Sequence, residues 1–155
     1  MRKTLSAALF LACIVPVFSQ EYKMAAGAGL EFNMQSRIYY AGGASLTFDY
    51  NLPGPAALGI TITGSMNFKD LYIVDPHFFI RGYIFGGNSG FFVQYGVGAT
   101  FITWEDKTRE VWPMAGIGAG YRFLLGDHFY VEPYGRFGYP FDLGIGVMGG
   151  MRFKR

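Results

Sequence analysis

The sequence predicts an all-β fold: one eight-stranded antiparallel up-and-down β-barrel that crosses a membrane. Three observations predict it. Turn-forming clusters punctuate residues 20–155 at short, regular intervals. The segments between them alternate with period two rather than 3.6. The face opposite the apolar one carries small residues and a few charges of both signs, not the dense lysine and glutamate of a water-facing wall.

The N-terminus stands apart from this pattern. Met1-Arg2-Lys3 is a short basic region, Leu5 to Phe18 is a nearly unbroken apolar run, and Val17-Phe18-Ser19 suits cleavage after Ser19. That is the layout of a secretory signal peptide, too short to be a membrane helix. Residues 1–19 are therefore read as a cleaved export signal and 20–155 as one domain. Their removal takes away two cations and no acid, so 13 basic against 11 acidic residues become 11 against 11. The basic excess belonged to the signal and points to no nucleic-acid partner. Cys13, the only cysteine, lies in the apolar run. Phe10-Leu11-Ala12-Cys13 as a loose lipobox competes with a small apolar residue in a discarded segment, and the apolar run continuing past Cys13 favours the second. The mature chain then has no disulfide.

The chain is 51% hydrophobic, 19% aromatic and only 15% charged, with 23 glycines. Nothing after residue 19 approaches the roughly 18 continuous apolar residues of a membrane helix, so the apolar surface must be disposed of by strands.

The strands follow in order. Leu30, Phe32 and Met34 oppose Glu31 and Asn33, and the turn is Met34-Gln35-Ser36-Arg37. Leu46, Phe48 and Tyr50 oppose Ser45, Thr47 and Asp49, ending at Asn51-Leu52-Pro53-Gly54-Pro55. In 58–68 Leu58, Ile60, Ile62, Met66 and Phe68 oppose glycine, threonine, serine and asparagine, ending at Lys69-Asp70-Leu71-Tyr72. Segment 75–86 is apolar on both faces and is oriented by turning Arg81 away from lipid, ending at Gly86-Gly87-Asn88-Ser89-Gly90. In 91–103 Phe91, Val93, Tyr95, Val97, Ala99 and Phe101 oppose Gln94, Gly96, Gly98 and Thr100, ending in the charged run Glu105 to Arg109. Segment 113–123 sets Ala115, Ile117, Ala119, Tyr121 and Phe123 against Gly116, Gly118, Gly120 and Arg122, before the turn Leu125-Gly126-Asp127-His128. In 129–139 Phe129, Val131, Pro133, Phe137 and Tyr139 oppose Tyr130, Glu132, Tyr134 and Arg136; Gly138 to Asp142 turns the chain. Segment 143–153 closes with Leu143, Ile145, Val147, Met151 and Phe153 against Gly144, Gly146, Met148, Gly150 and Arg152.

The small-residue face carries Glu31, Asp49 and Glu132 with Arg81, Arg122, Arg136 and Arg152. Glycine makes room in a narrow lumen, and carboxylates pair with guanidinium groups that cannot reach bulk water. The apolar face then meets lipid. Eleven residues at about 3.3 Å rise and a tilt of roughly 40° cross about 28 Å, an outer-membrane hydrocarbon band. Outward aromatics gather as two girdles: Tyr40, Phe68, Phe101, Tyr139 and Phe141 at one rim, Tyr50, Phe91, Phe123, Phe129 and Phe153 at the other. An open sheet edge would leave backbone groups unpaired in hydrocarbon, so the sheet closes. With the N-terminus arriving in the periplasm, connections 51–55, 86–90 and 124–128 are periplasmic, and those near 34–37, 69–75, 104–111 and 139–142 are external. Trp104, Glu105, Asp106, Lys107 and Arg109 belong to the longest external loop, where a surface ligand would bind.

Three runs carry a family resemblance: Gly116-Ile117-Gly118-Ala119-Gly120-Tyr121-Arg122-Phe123, Val131-Glu132-Pro133-Tyr134-Gly135-Arg136 and Gly149-Gly150-Met151-Arg152-Phe153. Over nearly all of 20–155 the chain resembles the small outer-membrane β-barrels, the OmpA/OmpX/OmpW-like group. The resemblance implies residence in a bacterial outer membrane, contact with its lipid, and Phe153 as the aromatic end by which the barrel-assembly machinery takes up a client. Lys154-Arg155 follow that Phe here. The family hosts anchors, adhesins, channels and lipid enzymes, so the fold leaves the role open.

Reactive chemistry is sparse. Gly144 to Gly149 matches G-x-G-x-x-G, but no helix can follow to cradle a pyrophosphate, so no dinucleotide cofactor is expected. The lipid A deacylases of this fold use His-x-Ser; His77 is followed by Phe78-Phe79 and His128 by Phe129-Tyr130. Two histidines and no mature cysteine serve zinc poorly. The reading is a monomeric barrel with a structural, envelope-integrity or surface-interaction role, its lumen closed by the acid–arginine network, with no catalysis and no cofactor. A narrow passive channel is the alternative, which needs Gly96, Gly98, Gly116, Gly118, Gly144 and Gly146 to leave a continuous gap. A lipid-modifying enzyme comes after it.

Overall fold

The computed structural model describes residues 22–35, 39–67, 71–84 and 87–154. The expected export segment 1–19 with Cys13, and the girdle position Phe68, lie outside them. The described chain forms eight strands: β1 Tyr22–Gln35, β2 Tyr39–Asn51, β3 Ala56–Met66, β4 Leu71–Tyr83, β5 Gly90–Trp104, β6 Arg109–Leu125, β7 Phe129–Tyr139 and β8 Leu143–Lys154. Each pairs antiparallel with its chain neighbours, and β8 returns to β1 from Met24↔Phe153 to Met34↔Leu143, so the barrel is closed. Strand-to-strand turns are tight because glycine supplies left-handed backbone where it is needed, as at Gly54 (φ 98°) and Gly126 (φ 67°).

Alternation decides which way every side chain points. Leu30, Leu46, Ile80, Ile117, Phe137 and Ile145 stand outward, each 55–73% exposed. Together with their neighbours they wrap the barrel in apolar surface far beyond the few hundred Å² that a water-soluble monomer exposes. This wall is a lipid-facing one, and the barrel is transmembrane. The girdle residues Tyr40, Phe101 and Tyr139 at one end and Tyr50, Phe91, Phe123, Phe129 and Phe153 at the other are exposed on it.

Three expectations are corrected. β4 begins at Leu71, so 71–75 is strand rather than loop, and His77 sits within the strand instead of at its start. β6 begins at Arg109, which shortens the expected 104–111 loop to a turn of Glu105 to Thr108. Phe141 does not face lipid; it is buried with Ala41, Leu71 and Ile73 inside the far mouth of the barrel. Strand parity ends where β7 ends, so it could not predict a residue in the following connection.

Putting a charge on the outer wall tests its environment. Ile117→Arg, mid-strand in β6, is expected to cost about 2–4 kcal/mol in denaturant titrations of the protein refolded into lipid vesicles. A water-facing position would change by no more than about 0.5 kcal/mol.

Candidate functional site

The inward face is where the chain departs from simple packing. Two ion-pair clusters fill the lumen. In the first, Glu132 of β7 holds two arginines: Oε1 lies 2.8 Å from Arg81 Nη2, and Oε2 accepts from Arg81 Nη1 at 2.9 Å and Arg122 Nε at 2.7 Å. Arg122 Nη2 also donates to Asp49 Oδ2 across the lumen at 2.7 Å, with Arg81 Nη1 3.8 Å from the same oxygen. Gln94 Oε1 accepts from Arg81 Nε and Nη2 at 3.1 and 2.8 Å. Aromatic planes back both guanidiniums, Phe92 at 4.0 Å from Arg81 and Tyr130 at 4.1 Å from Arg122.

In the second cluster Arg136 lies between Glu31 at 2.7 Å and Asp75 at 2.9 Å. Tyr134 donates its hydroxyl to Glu31 at 2.6 Å, and Thr100 donates to Asp75 at 3.0 Å. Beside the clusters, Ser45–Thr63 and Thr47–Thr61 hydroxyl pairs at 2.9 and 3.0 Å line β2 and β3. These side chains are in low dielectric, where an unpaired charge is costly and a multiply bonded one is tolerated.

The space that glycine opens is occupied. A β-carbon at Gly120 would strike the Phe92 ring, at Gly146 the Tyr134 ring, at Gly144 the Arg136 side chain, at Gly118 Gln94, and at Gly98 the body of His77. The niches at Gly118, Gly120, Gly144 and Gly146 each receive a large lumen side chain from the neighbouring strand. Between the clusters lies a cavity of about 20 Å³ lined among others by Glu31, His77, Arg81, Glu132, Tyr134 and Arg136. That is room for a single water. The far mouth is filled by Ala41, Leu71, Ile73 and Phe141 with Ile102 and Trp104 against them. At the opposite mouth the Tyr22 carbonyl accepts from Asn51 at 3.3 Å and Asn88 at 3.0 Å, and Arg152 lies 4.3 Å over the Tyr22 ring.

Of the seven lumen charges read from sequence, Glu31, Asp49, Arg81, Arg122, Glu132 and Arg136 come together in these clusters. Arg152 points inward but makes no ion pair among the described residues; it donates to the Asp127 carbonyl at 2.7 Å. Asp75, His77 and Gln94 join the site beyond that set, Asp75 as a full ion-pair partner. Gly144 and Gly146 of the G-x-G-x-x-G match lie within β8, their niches filled by side chains, and the strand continues past them to Lys154.

The loop set separates. Trp104 ends β5 against the apolar mouth, while Glu105, Asp106, Lys107 and Arg109 are exposed. The turn is closed by Trp104 N–H to the Thr108 carbonyl at 3.0 Å and Lys107 N–H to the Trp104 carbonyl at 2.9 Å, with Lys107 left-handed at φ 66°. Asp106 accepts from the Thr108 N–H at 2.9 Å, and that bond holds its carboxyl below the ordinary range. Phe153 is exposed on the outer wall near the end of β8.

No protein-family model matches this chain, and no curated protein matches it. Solved structures do. The chain is similar to Neisserial surface protein A (TM-score 0.61, 10% identity, 87% of this chain and 97% of that one). It is similar to the outer-membrane protein OprG from Pseudomonas aeruginosa (TM-score 0.62, 10% identity, 88% and 98%). It is also similar to the N-terminal β-barrel domain of Pseudomonas aeruginosa OprF (TM-score 0.57, 14% identity, 86% and 98%). At such identities the likeness is one of fold: the chain has the architecture of small eight-stranded outer-membrane barrels.

Two outcomes follow from this geometry. Glu132→Ala leaves two buried guanidiniums to share one carboxylate, Asp49, and is expected to cost about 3–5 kcal/mol in vesicle unfolding titrations, against about 0.5 kcal/mol or less for Glu105→Ala. At the turn, a carboxyl lowered on folding stabilises above its unfolded range and loses that contribution as pH falls through its folded value. The Thr108 amide is therefore expected to lose protection against hydrogen exchange on acidification, and Asp106→Asn to remove that pH dependence.

Proposed function

We propose that this protein is an integral outer-membrane barrel with a structural, envelope-integrity or surface-interaction role, exported by its cleaved segment 1–19 and closed to solutes. The observation that carries the reading is the filled lumen: interlocked guanidinium and carboxylate groups from β1, β2, β4, β6 and β7, with large side chains over Gly118, Gly120, Gly144 and Gly146. An eight-stranded interior is only wide enough for side chains, and here they occupy it. The fold shared with a Neisserial surface protein and with OprG supports the outer membrane as the location. An exterior that only lipid can solvate supports it independently. Residue Phe153, outward on β8, is suited to uptake by the barrel-assembly machinery.

With the lumen occupied, any partner must be met outside it. β5 and β6 are the longest strands, with 15 and 17 residues, and their hairpin carries Glu105, Asp106, Lys107 and Arg109 past the last β6–β7 pair, Ala115↔Tyr139. In this orientation the hairpin faces outward from the cell and is the candidate contact for a surface ligand. A lipid-modifying role draws no support from Ser45, Ser65 or His77: Ser45 bonds Thr63, Ser65 bonds Asn33, and His77 Nδ1 sits 3.4 Å from the Asp75 carbonyl of its own strand.

Single-channel recording in a planar bilayer tests the closed lumen, with heat-modifiable gel mobility reporting that the protein has folded. Inserted protein is expected to give no stable current steps. Reproducible steps would put the narrow channel first.

A further inference from the structure

At two places within the wall the backbone ladder skips two residue pairs while the register stays unchanged. Between β4 and β5 the pairs run from Val74↔Phe101 directly to His77↔Gly98. Between β6 and β7 they run from Gly120↔Tyr134 directly to Phe123↔Val131. Each gap contains a proline, Pro76 in one and Pro133 in the other. The ladder on the far side of each proline is intact, as Ile62↔Pro76 and Pro133↔Val147. The missing N–H is therefore the one that would have bonded across the gap. Proline is ordinarily kept out of central strands for this reason, and at membrane depth no water replaces the lost donor.

Both prolines are preceded by a buried carboxylate of the lumen network, Asp75 and Glu132. Each carboxylate bonds the residue that the register sets opposite it across the gap. Thr100 Oγ1 donates to Asp75 Oδ1 at 3.0 Å, and Arg122 Nε donates to Glu132 Oε2 at 2.7 Å. The second oxygen of each acid is tied across the lumen, Asp75 Oδ2 to Arg136 at 2.9 Å and Glu132 Oε1 to Arg81 at 2.8 Å. The same arrangement thus occurs twice: an acid–proline step, a gap in the ladder, and a side-chain bond over the gap on the lumen side.

We propose that Asp75–Thr100 and Glu132–Arg122 are clasps that hold proline-broken seams of the barrel wall shut, so that releasing a clasp opens its seam locally while the rest of the barrel stays folded. The Thr100 clasp uses a neutral hydroxyl and the Arg122 clasp a charged donor, so the β4–β5 seam is the weaker. It opens first.

Hydrogen exchange of the protein refolded in lipid nanodiscs, read by mass spectrometry, tests this. Thr100→Val removes the clasp donor while leaving Asp75 on Arg136. It is expected to speed exchange about tenfold in segments 73–78 and 97–102 alone. Pro76→Ala restores the missing N–H, so on its own it should slow exchange at the seam. In that background Thr100→Val should have little further effect. An even rise over all strands, no rise at all, or an equal rise with and without Pro76 would overturn the clasp. Should Thr100→Val fail to refold, Pro76→Ala alone still decides, because unchanged exchange at 97–102 means the seam was never open to begin with.

Discussion

A backbone amide at membrane depth has no water to bond, so each N–H and C=O in the wall needs a partner inside the protein. The rest of this structure follows from that constraint. Closing β8 onto β1 satisfies the last two edges and simultaneously divides the molecule into an outside and an inside. Because side chains alternate along a strand, the sequence must then alternate as well, apolar toward lipid and anything else toward the axis. Eight strands make the inside narrow. A facing glycine makes room for a large lumen side chain, as where Tyr134 lies over Gly146 and Phe92 over Gly120.

The charges inside that narrow space fix the register of the wall. Arginine cannot lose its proton in a protein, so the guanidiniums at mid-lumen require carboxylates. Arg122 finds Asp49 from β2, and Arg136 finds Glu31 from β1 and Asp75 from β4. These ties join strands that are not neighbours and brace the cylinder across its axis. They also make slippage expensive. A one-residue slip of β7 would turn Glu132 and Arg136 out to lipid together, leaving Glu31 and Asp75 without an ion-pair partner and Arg81 and Arg122 sharing Asp49 alone. A buried ion pair is a poor source of stability but a strong source of specificity in a sheet whose outer face, being uniformly apolar, discriminates little between registers.

Much of this is readable in the sequence because a closed barrel reduces folding to parity. Counting by twos placed Glu31, Asp49, Arg81, Arg122, Glu132 and Arg136 on one face without any knowledge of which strand meets which, and their side chains lie in the lumen. The same count reaches Asp75, which lies in segment 75–86 an even number of residues from Arg81, but a segment that is apolar on both faces and oriented by Arg81 alone gives no separate signal for it. The apolar residues on both faces of that segment also have a cause. Phe79 and Phe92 form the surface on which the Arg81 guanidinium rests, at 5.0 and 4.0 Å. What the sequence could not offer is pairing across the lumen, since which acid meets which arginine depends on strand tilt and not on spacing.

The two prolines link these levels. A proline in a lipid-facing wall costs a ladder bond, and the wall can carry that loss only where the lumen face supplies a substitute. The substitute here comes from the same carboxylates that neutralise the arginines, so electrostatic closure of the lumen and mechanical closure of the wall are not separate properties. Glu132 neutralises Arg81 and spans the β6–β7 gap with one side chain. Removing it would unbalance the lumen and loosen the wall at once. If the clasps hold the wall, reorganising these interior groups to create a solute path would breach the wall as well.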